Sequence, residues 1–359
     1  MKVLIAGGGT GGHLFPGIAV AEAFRIRERA ADILFVGTSN PMEVSTLANK
    51  GFRHAAIVSE GLKGRGVWRQ VRSLLKIPIG VWQTLRIIWR FNPDIIIGLG
   101  GYASGPVALA AKLTGKRLVI HEQNILPGLT NRILGRFADR IFVSFPDKLG
   151  RFQPSKTMIT GNPVRRELLS RKPAPKTSGR FTVLILGGSQ GAHALNCAMV
   201  DALDHLKNRP QMAFIHQTGA KDAAWVSQAY KSRGIEAVVE PFFEDMAGPY
   251  GASDFVVCRA GATTVSELMA MGKPAILVPF PFAANSHQEL NARHLVDVGG
   301  AELILERDLD GVRLAERIDY YALHPETLEK MQRETLALAL PDAAEAIVNA
   351  CRRLVLVGH

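Results

Sequence analysis

The sequence predicts an α/β chain of two Rossmann-like, doubly wound parallel-sheet domains facing a cleft, the GT-B kind of architecture. Three observations predict it. Short runs rich in Val, Ile and Leu alternate with longer helical stretches, as in parallel sheets covered by helices on both faces. The pattern then restarts, because FTVLILGG at 181–188 repeats the strand-then-glycine logic of residues 2–8. Between the two sets lies RKPAPKTSGR at 171–180, basic, Pro-rich and without an apolar period, so the junction falls within 161–180.

Taken in order, the first set of strands is KVLIAGG, DILFVG, AAIVSE, DIIIGLGG, RLVIHEQ, RIFVSF and TMITGNP. The second is FTVLILGG, MAFIHQTG, EAVVEPF, FVVCRAG, AILVPF and ELILE. Each run is short, β-branched and closed by Gly or polar residues, which is the punctuation of a strand entering a loop. Each set suffices for its own sheet, and ligands of such sheets sit outside the carboxyl ends of the strands.

Composition narrows the function class. At 359 residues, 47% hydrophobic and 21% charged, the chain reads as a soluble globular protein of about two domains. No apolar run reaches the roughly 18 residues that suggest a membrane span. A strand begins at once at residue 2, so no secretion signal is expected. Three scattered cysteines, Cys197, Cys258 and Cys351, argue against a disulfide framework or a zinc site. The net charge of +11 points to an anionic partner. With 7% aromatic residues and no zinc-finger or RNP-like pattern, no nucleic-acid partner is expected.

The opening loop, AGGGTGGHLFPG at 6–17, satisfies G-x-G-x-x-G through Gly7, Gly9 and Gly12. A dinucleotide site also needs an acid ending the second strand, but that strand ends VGTSN. This disfavours a nicotinamide-dependent oxidoreductase. A Walker loop fails because His13 stands where Lys belongs. What survives is a helix N-terminus stripped of side chains, suited to an anion or a polar substrate. His13 at that turn is placed either to accept a proton or to donate to a phosphate, its ordinary pKa lying near neutrality. GGYASGP (100–106), HEQN (121–124), GGSQGA (187–192) and RAGATTVSE (259–267) also follow predicted strands. Singly each is ordinary turn chemistry; together they fall where an α/β site is built. After Gly261, the first turns of a helix carry Thr263, Thr264 and Ser266, suited to a diphosphate. Glu267 follows one turn in, with two oxygens able to accept both hydroxyls of a ribose.

The constellation of GGGTGGH at 7–13, GGYASGP, HEQN, GNPVR at 161–165, GGSQGA, RAGATTVSE and HQELN at 287–291 resembles the MurG family of bacterial glycosyltransferases. Members move N-acetylglucosamine from UDP-N-acetylglucosamine to undecaprenyl-pyrophosphoryl-N-acetylmuramoyl-pentapeptide, the lipid I to lipid II step of peptidoglycan synthesis. The motifs span nearly the whole chain in order. The resemblance implies an N-terminal acceptor and membrane-associated domain, 1–163, completed by a C-terminal helix within 341–359. It implies a UDP-sugar-binding domain at 164–340. Thr10, Gly11 and Gly12 match first-domain donor contacts; Asn124, Arg165, Ser189 and Gln288 match others. Ala262, Thr263, Thr264, Val265, Ser266 and Glu267 match the diphosphate and ribose segment, and Phe243 the uracil side. The implied location is peripheral, on the cytoplasmic face of the bacterial inner membrane, with other cell-wall synthesis proteins as partners.

Residues 67–90, VWRQVRSLLKIPIGVWQTLRIIWR, test well as a helix. At about 100° per residue, Arg69, Arg72, Lys76, Arg86 and Arg90 share one arc, and Val67, Val71, Leu74, Leu85 and Trp89 fall opposite. Ile79 and Ile87 intrude on the basic side, and Pro78 marks a possible break. This reads as a basic, apolar patch for anionic lipid.

The implied reaction is direct displacement with inversion. The muramoyl C4 hydroxyl attacks the anomeric carbon and UDP leaves. Helix N-terminal amides, Ser189 and Arg165 would stabilise the leaving diphosphate, with no metal or cofactor expected. The D-x-D at 308–310 lies outside the glycine loops. His13 is the first candidate for general base and Glu122 the second. Two alternatives stand beside this reading: a non-hydrolysing UDP-N-acetylglucosamine 2-epimerase, and a non-catalytic nucleotide-binding module at the membrane.

Overall fold

The computed structural model describes residues 1–8, 11–59, 67–147, 149–170, 179–188, 191–283 and 286–356, with backbone only over 67–75. The chain divides into two compact units, Met1–Arg165 with Leu340–His359, and Arg166–Ala339.

The first unit holds strands β1 (Lys2–Ala6), β2 (Asp32–Gly37), β3 (Arg53–Ala56), β4 (Ile95–Gly98), β5 (Arg117–Glu122), β6 (Arg140–Val143) and β7 (Thr157–Ile159). They pair in parallel, in the order β3-β2-β1-β4-β5-β6-β7. The intervening helices are α1 (Gly11–Arg27), α2 (Pro41–Asn49), α3 (Val67–Phe91), α4 (Gly101–Leu113) and α5 (Leu129–Leu134). Successive strand residues point to opposite faces, and the core shows it. Leu4, Ile96 and Ile120 pack with α3 and α4, whereas Val3, Ile5 and Val119 pack with α1.

The second unit begins with a short helix, α6 (Arg166–Ser170). Its strands are β8 (Phe181–Leu186), β9 (Met212–Gln217), β10 (Ala237–Glu240), β11 (Phe255–Cys258), β12 (Ala275–Leu277) and β13 (Ala301–Leu303). The order β10-β9-β8-β11-β12-β13 is again all parallel. The helices α7 (His193–Ala202), α8 (Ala223–Ser232), α9 (Ala247–Ala252), α10 (Ala262–Met271), α11 (His287–Val296), α12 (Gly311–Leu323) and α13 (Pro325–Ala337) surround this sheet. The last helix, α14 (Ala343–Leu356), returns to the first unit. Its Ile347, Val348 and Cys351 are buried in one cluster with Val3, Ile5 and Leu14.

Two details depart from the sequence expectation. The third strand was expected at 55–60 but runs Arg53–Ala56. Its partner sets the limit: Gly37, the last residue of β2, pairs with Ala56, and only one further amide, Ile57, reaches back to Gly37. Helix α3 runs unbroken through Pro78. Among its described residues Gly80, Val81, Thr84, Ile88 and Phe91 are buried, and they define the inner face; the side chains of Val67, Arg69, Val71, Arg72 and Leu74 lie outside the described residues. Trp89, placed by sequence on the apolar arc, is 84% exposed, and Trp82 is 54% exposed beneath the Arg86 guanidinium, 4.2 Å from its ring. Arg86 and Arg90 therefore share the outer surface with Trp82 and Trp89. No described helix is long and apolar enough to cross a membrane.

Candidate active site

In each unit the strand order reverses beside the first strand, between β1 and β4 and between β8 and β11. Loops leaving those tips diverge and leave room for a ligand. Of the residues singled out from sequence, Gly11, Gly12 and His13 follow β1 and residues 262–267 follow β11; the other described ones lie on neighbouring strand ends, loops and helices.

In the first unit, α1 begins at Gly11 and carries half-buried His13 in its first turn. The neighbouring loop passes Gly100 and Gly101 at φ +86° and +76°, a backbone region that favours glycine. A Cβ on Gly101 would stand 2.6 Å from the Gly8 carbonyl oxygen, and one on Gly100 would stand 3.1 Å from His13 Cε1. Side chains are absent here because two loops and an imidazole share the space. Ser104 fastens the turn, its hydroxyl 2.6 Å from the Gly100 carbonyl and 3.0 Å from that of Ala6.

At the tip of β5 a polar chain runs inward. His13 Nδ1 lies 3.1 Å from Gln123 Oε1, and Gln123 Nε2 lies 3.2 Å from His121 Nδ1. His121 is fully buried, and its Nε2 lies 3.1 Å from the Gly161 carbonyl. Burial holds its pKa down at about 4; the Gly161 hydrogen bond opposes this, and the neighbouring His13 adds to it.

Glu122 is 2% exposed and its carboxylate is hydrogen-bonded inward. It accepts from the Asn124 amide (3.0 Å) and side chain (3.3 Å), the Gly128 amide (3.0 Å) and Asn131 Nδ2 (2.9 Å). These contacts give Glu122 the task of holding the loop between β5 and α5. They place Asn124 at the same strand tip. Arg165 lies alongside α1, its guanidinium 4.0 Å from the Phe15 ring. Thr10 and Ser189 lie outside the described residues.

In the second unit, Gly261 precedes α10 without a side-chain cap. The Val265 amide already bonds Gly261 O, so the first-turn amides of Ala262, Thr263 and Thr264 are the ones oriented outward from a helix start. Thr263 and Thr264 are half-buried. Ser266, expected to offer its hydroxyl to a diphosphate, instead donates to Ala262 O at 2.8 Å and is buried. Val265 is fully buried in the core and its amide is already bonded, so its side chain and its N–H both serve the helix itself. Glu267 is 3% exposed and accepts from the Tyr250 hydroxyl at 3.2 Å. Gln217, ending β9, ties two loops together: its Nε2 donates to Gly188 O at 3.1 Å and its Oε1 accepts from the Phe243 amide at 3.0 Å. Gln288 fastens the 279–283 stretch by accepting from the Phe280 amide at 2.9 Å. Asp310 caps α12, accepting from the Arg313 amide at 2.7 Å.

Sequence reasoning missed three contributors. Gln123 and His121 were quoted only as parts of HEQN. Glu43 was not singled out, yet its buried carboxylate comes back from α2 to the tip of β2, where no acid was expected. There it accepts from the Thr38 hydroxyl at 3.0 Å and lies 3.5 Å from His54. A carboxylate one turn into the following helix leaves no strand-end signal.

Comparison with known proteins bears on the whole chain. Residues 3–143 match the glycosyltransferase family 28 N-terminal domain, and 182–347 match the glycosyltransferase family 28 C-terminal domain. The UDP-N-acetylglucosamine–N-acetylmuramyl-(pentapeptide) pyrophosphoryl-undecaprenol N-acetylglucosamine transferase of Syntrophus aciditrophicus is 47% identical over 357 residues, 99% of each chain. The crystal structure of Acinetobacter baumannii MurG superposes with a TM-score of 0.76 at 28% identity, covering 98% of this chain and 99% of that one. UDP-GlcNAc 2-epimerase from Neisseria meningitidis, bound to UDP-GlcNAc, superposes at 0.68 with 13% identity over the full length of both; that likeness is one of fold.

The buried imidazoles set an acid limit. An unfolded His121 takes its proton near 6.5, the folded one at about 4. Between those values the unfolded chain binds more protons, so stability falls as pH drops through that window. The loss reaches up to about 3 kcal/mol, absent above pH 7 and complete below about 4. His216, lowered to about 3 in the second unit by burial, acts with the same sign. Denaturant midpoints of the first unit at pH 7 and 4.5 should show a drop in the native chain that shrinks in His121→Asn. An equal drop in both would remove His121 as the cause.

Proposed function

Since the chain belongs to the MurG family of glycosyltransferases, we propose that it transfers N-acetylglucosamine from UDP-N-acetylglucosamine to the C4 hydroxyl of undecaprenyl-pyrophosphoryl-N-acetylmuramoyl-pentapeptide, with inversion. The observation that carries this is the 47% identity over 99% of the chain to a transferase of that activity. The epimerase reading rests on fold alone, at 13% identity.

In this reading the second unit holds the donor. The amides of Ala262, Thr263 and Thr264 meet the diphosphate at a helix N-terminus. Glu267 accepts from the ribose, and Phe243 lies on the uracil side. Gln288 orders the neighbouring loop. In the first unit, Gly11 and Gly12 keep the start of α1 open, and His13 takes the proton of the attacking hydroxyl. The new bond forms at the anomeric carbon as the bond to UDP breaks, and the pair of electrons leaves on the diphosphate. Arg165 adds positive charge beside α1. Glu122, with four donors on its carboxylate, orders Asn124 and its loop; His13 is the base.

The enzyme sits on a lipid surface in this proposal. Trp82, Trp89, Ile79, Arg86 and Arg90 form an outer face of α3, and elsewhere on the same unit α5 exposes Leu129 and Ile133 near Arg132 and Arg136. Apolar side chains that enter the headgroup region, ringed by guanidinium groups, suit an anionic leaflet. This favours a peripheral enzyme at the cytoplasmic face.

The first test supplies UDP-N-acetylglucosamine with and without lipid acceptor. Acceptor-dependent UDP release is expected; an epimer formed without acceptor would point to the epimerase, and binding without turnover to the nucleotide-binding module. In the same assay His13→Ala should lower kcat by about 10²–10⁴-fold, with the donor KM little changed. Turnover near the native level would remove His13 as base.

For Glu267, the isostere Gln keeps an acceptor for Tyr250 and removes the charge. Charged acceptors make hydrogen bonds worth about 1.5–3 kcal/mol, so Glu267→Gln should raise the donor KM more than it lowers kcat. A 2′-deoxy donor should lose little more in the variant, closing a double-mutant cycle. Losses that simply add would show that Glu267 does not hold the 2′-hydroxyl.

For the lipid face, Trp82→Ser with Trp89→Ser should weaken binding to phosphatidylglycerol vesicles at all salt concentrations. Arg86→Glu with Arg90→Glu should weaken it most at low salt. Turnover of a short, soluble acceptor should survive both. Vesicle binding unaltered in both variants would leave α3 as an ordinary surface helix.

A further inference from the structure

Gln123 stands between two imidazoles, and the directions of its hydrogen bonds can be fixed one after another. Its amide nitrogen lies 2.8 Å from the Leu99 carbonyl oxygen. A carbonyl only accepts, so the atom facing Leu99 is the NH₂ group and the amide cannot be turned round. The second proton of that NH₂ points to His121 Nδ1 at 3.2 Å, which must therefore hold a lone pair. His121 carries its proton on Nε2 and donates it to the Gly161 carbonyl at 3.1 Å. An imidazolium at His121 would set an N–H against the NH₂, and burial already keeps this ring neutral, with a pKa of about 4.

What Gln123 offers to His13 is then its oxygen, 3.1 Å from Nδ1. An amide oxygen accepts only, so Nδ1 of His13 carries a proton, and in the neutral ring Nε2 holds the lone pair. Isolated neutral imidazoles favour the opposite tautomer, and a hydrogen bond to one ring nitrogen decides which form a protein holds. We propose that Gln123, anchored by the Leu99 carbonyl and neutral His121, is a positioning residue that fixes His13 as its Nδ1–H tautomer and so aims Nε2 at the acceptor hydroxyl. This rests on the reading of His13 as the general base. When Nε2 takes the proton, the imidazolium keeps its Nδ1–H bonded to the amide oxygen, whose partial negative charge stabilises it. The proton stops there: both hydrogens of the Gln123 NH₂ are already donated, and an amide does not relay.

The test uses the full chain labelled with ¹⁵N in its histidines, with His13→Ala to assign the ring resonances. In the native protein His13 should show the shifts of a neutral ring protonated at Nδ1. Gln123→Leu, close in size and without hydrogen-bonding atoms, should move His13 toward the Nε2–H form. It should lower kcat by about 10–100-fold, the range seen for outer partners of working imidazoles, with the KM of donor and acceptor each within about twofold. A native His13 protonated at Nε2 overturns the proposal without any variant. So does a Gln123→Leu protein that changes tautomer at native kcat, or one that loses kcat with His13 still protonated at Nδ1. Normal turnover in His13→Ala would instead overturn the base reading, and the positioning role in catalysis with it, whatever tautomer the spectra show.

Discussion

In a parallel sheet every strand delivers its last residue to the same edge, and where the strand order reverses the following helices depart to opposite faces. That constraint operates twice in this chain, beside β1 and beside β8, and the polar chemistry follows from it. Loops that diverge leave backbone amides and carbonyls without sheet partners. The chain must satisfy those groups with side chains or offer them to a ligand. At the tip of β5 the first unit satisfies them: Leu99 O takes the Gln123 amide, and the loop amides at 124 and 128 take the Glu122 carboxylate. The second unit leaves a helix start at Gly261 without a side-chain cap, the arrangement that receives an anion.

In the proposed reaction the two solutions divide the electrostatic work. Leaving diphosphate needs positive potential that is present before reaction, and helix amides supply it without a buried ion to desolvate. Accepting a proton needs a neutral nitrogen that tolerates becoming charged. A second imidazolium near His13 would oppose that, and burial of His121 prevents it. A charged carboxylate as the partner of Nδ1 would raise the basicity of His13 and bind the proton too firmly for its later release. An amide oxygen orients the ring with a smaller electrostatic pull. Glu122, one residue earlier on β5, points to the other side and spends its charge on the loop, which is the expected consequence of alternation along a strand.

The fold was legible because parallel strands here are continuous apolar runs closed by glycine, as DIIIGLGG and FTVLILGG show, and the restart at 181 marks the second sheet. The edge strand β3 was displaced because RHAA has no apolar alternation and its limits come from its partner, β2. The packed face of α3 was not legible for a related reason. A helical wheel sorts residues by polarity, while packing selects Val81, Thr84 and Ile88 by their position over α4. Thr84 is polar yet buried, its hydroxyl returned to Gly80 O at 2.7 Å, and so hydropathy misplaces it. Trp82 and Trp89 then fall outside, although Trp89 shares its sequence-derived apolar arc with the half-buried Leu85.

At the candidate site, sequence located loops but not orientations. Glycines and the histidine of the opening loop announce themselves by type and spacing. That Ser266 turns its hydroxyl back onto its own helix, or that Glu43 returns to the tip of β2, depends on rotamers and on contacts between segments. The same holds for Gln123: nothing in HEQN distinguishes a glutamine that touches a ligand from one that orients an imidazole 110 residues away. Its role becomes readable only when the Leu99 carbonyl is in place, because one acceptor of unambiguous direction fixes the amide, and the amide in turn sets Nδ1 of His13 as a donor and Nδ1 of His121 as an acceptor.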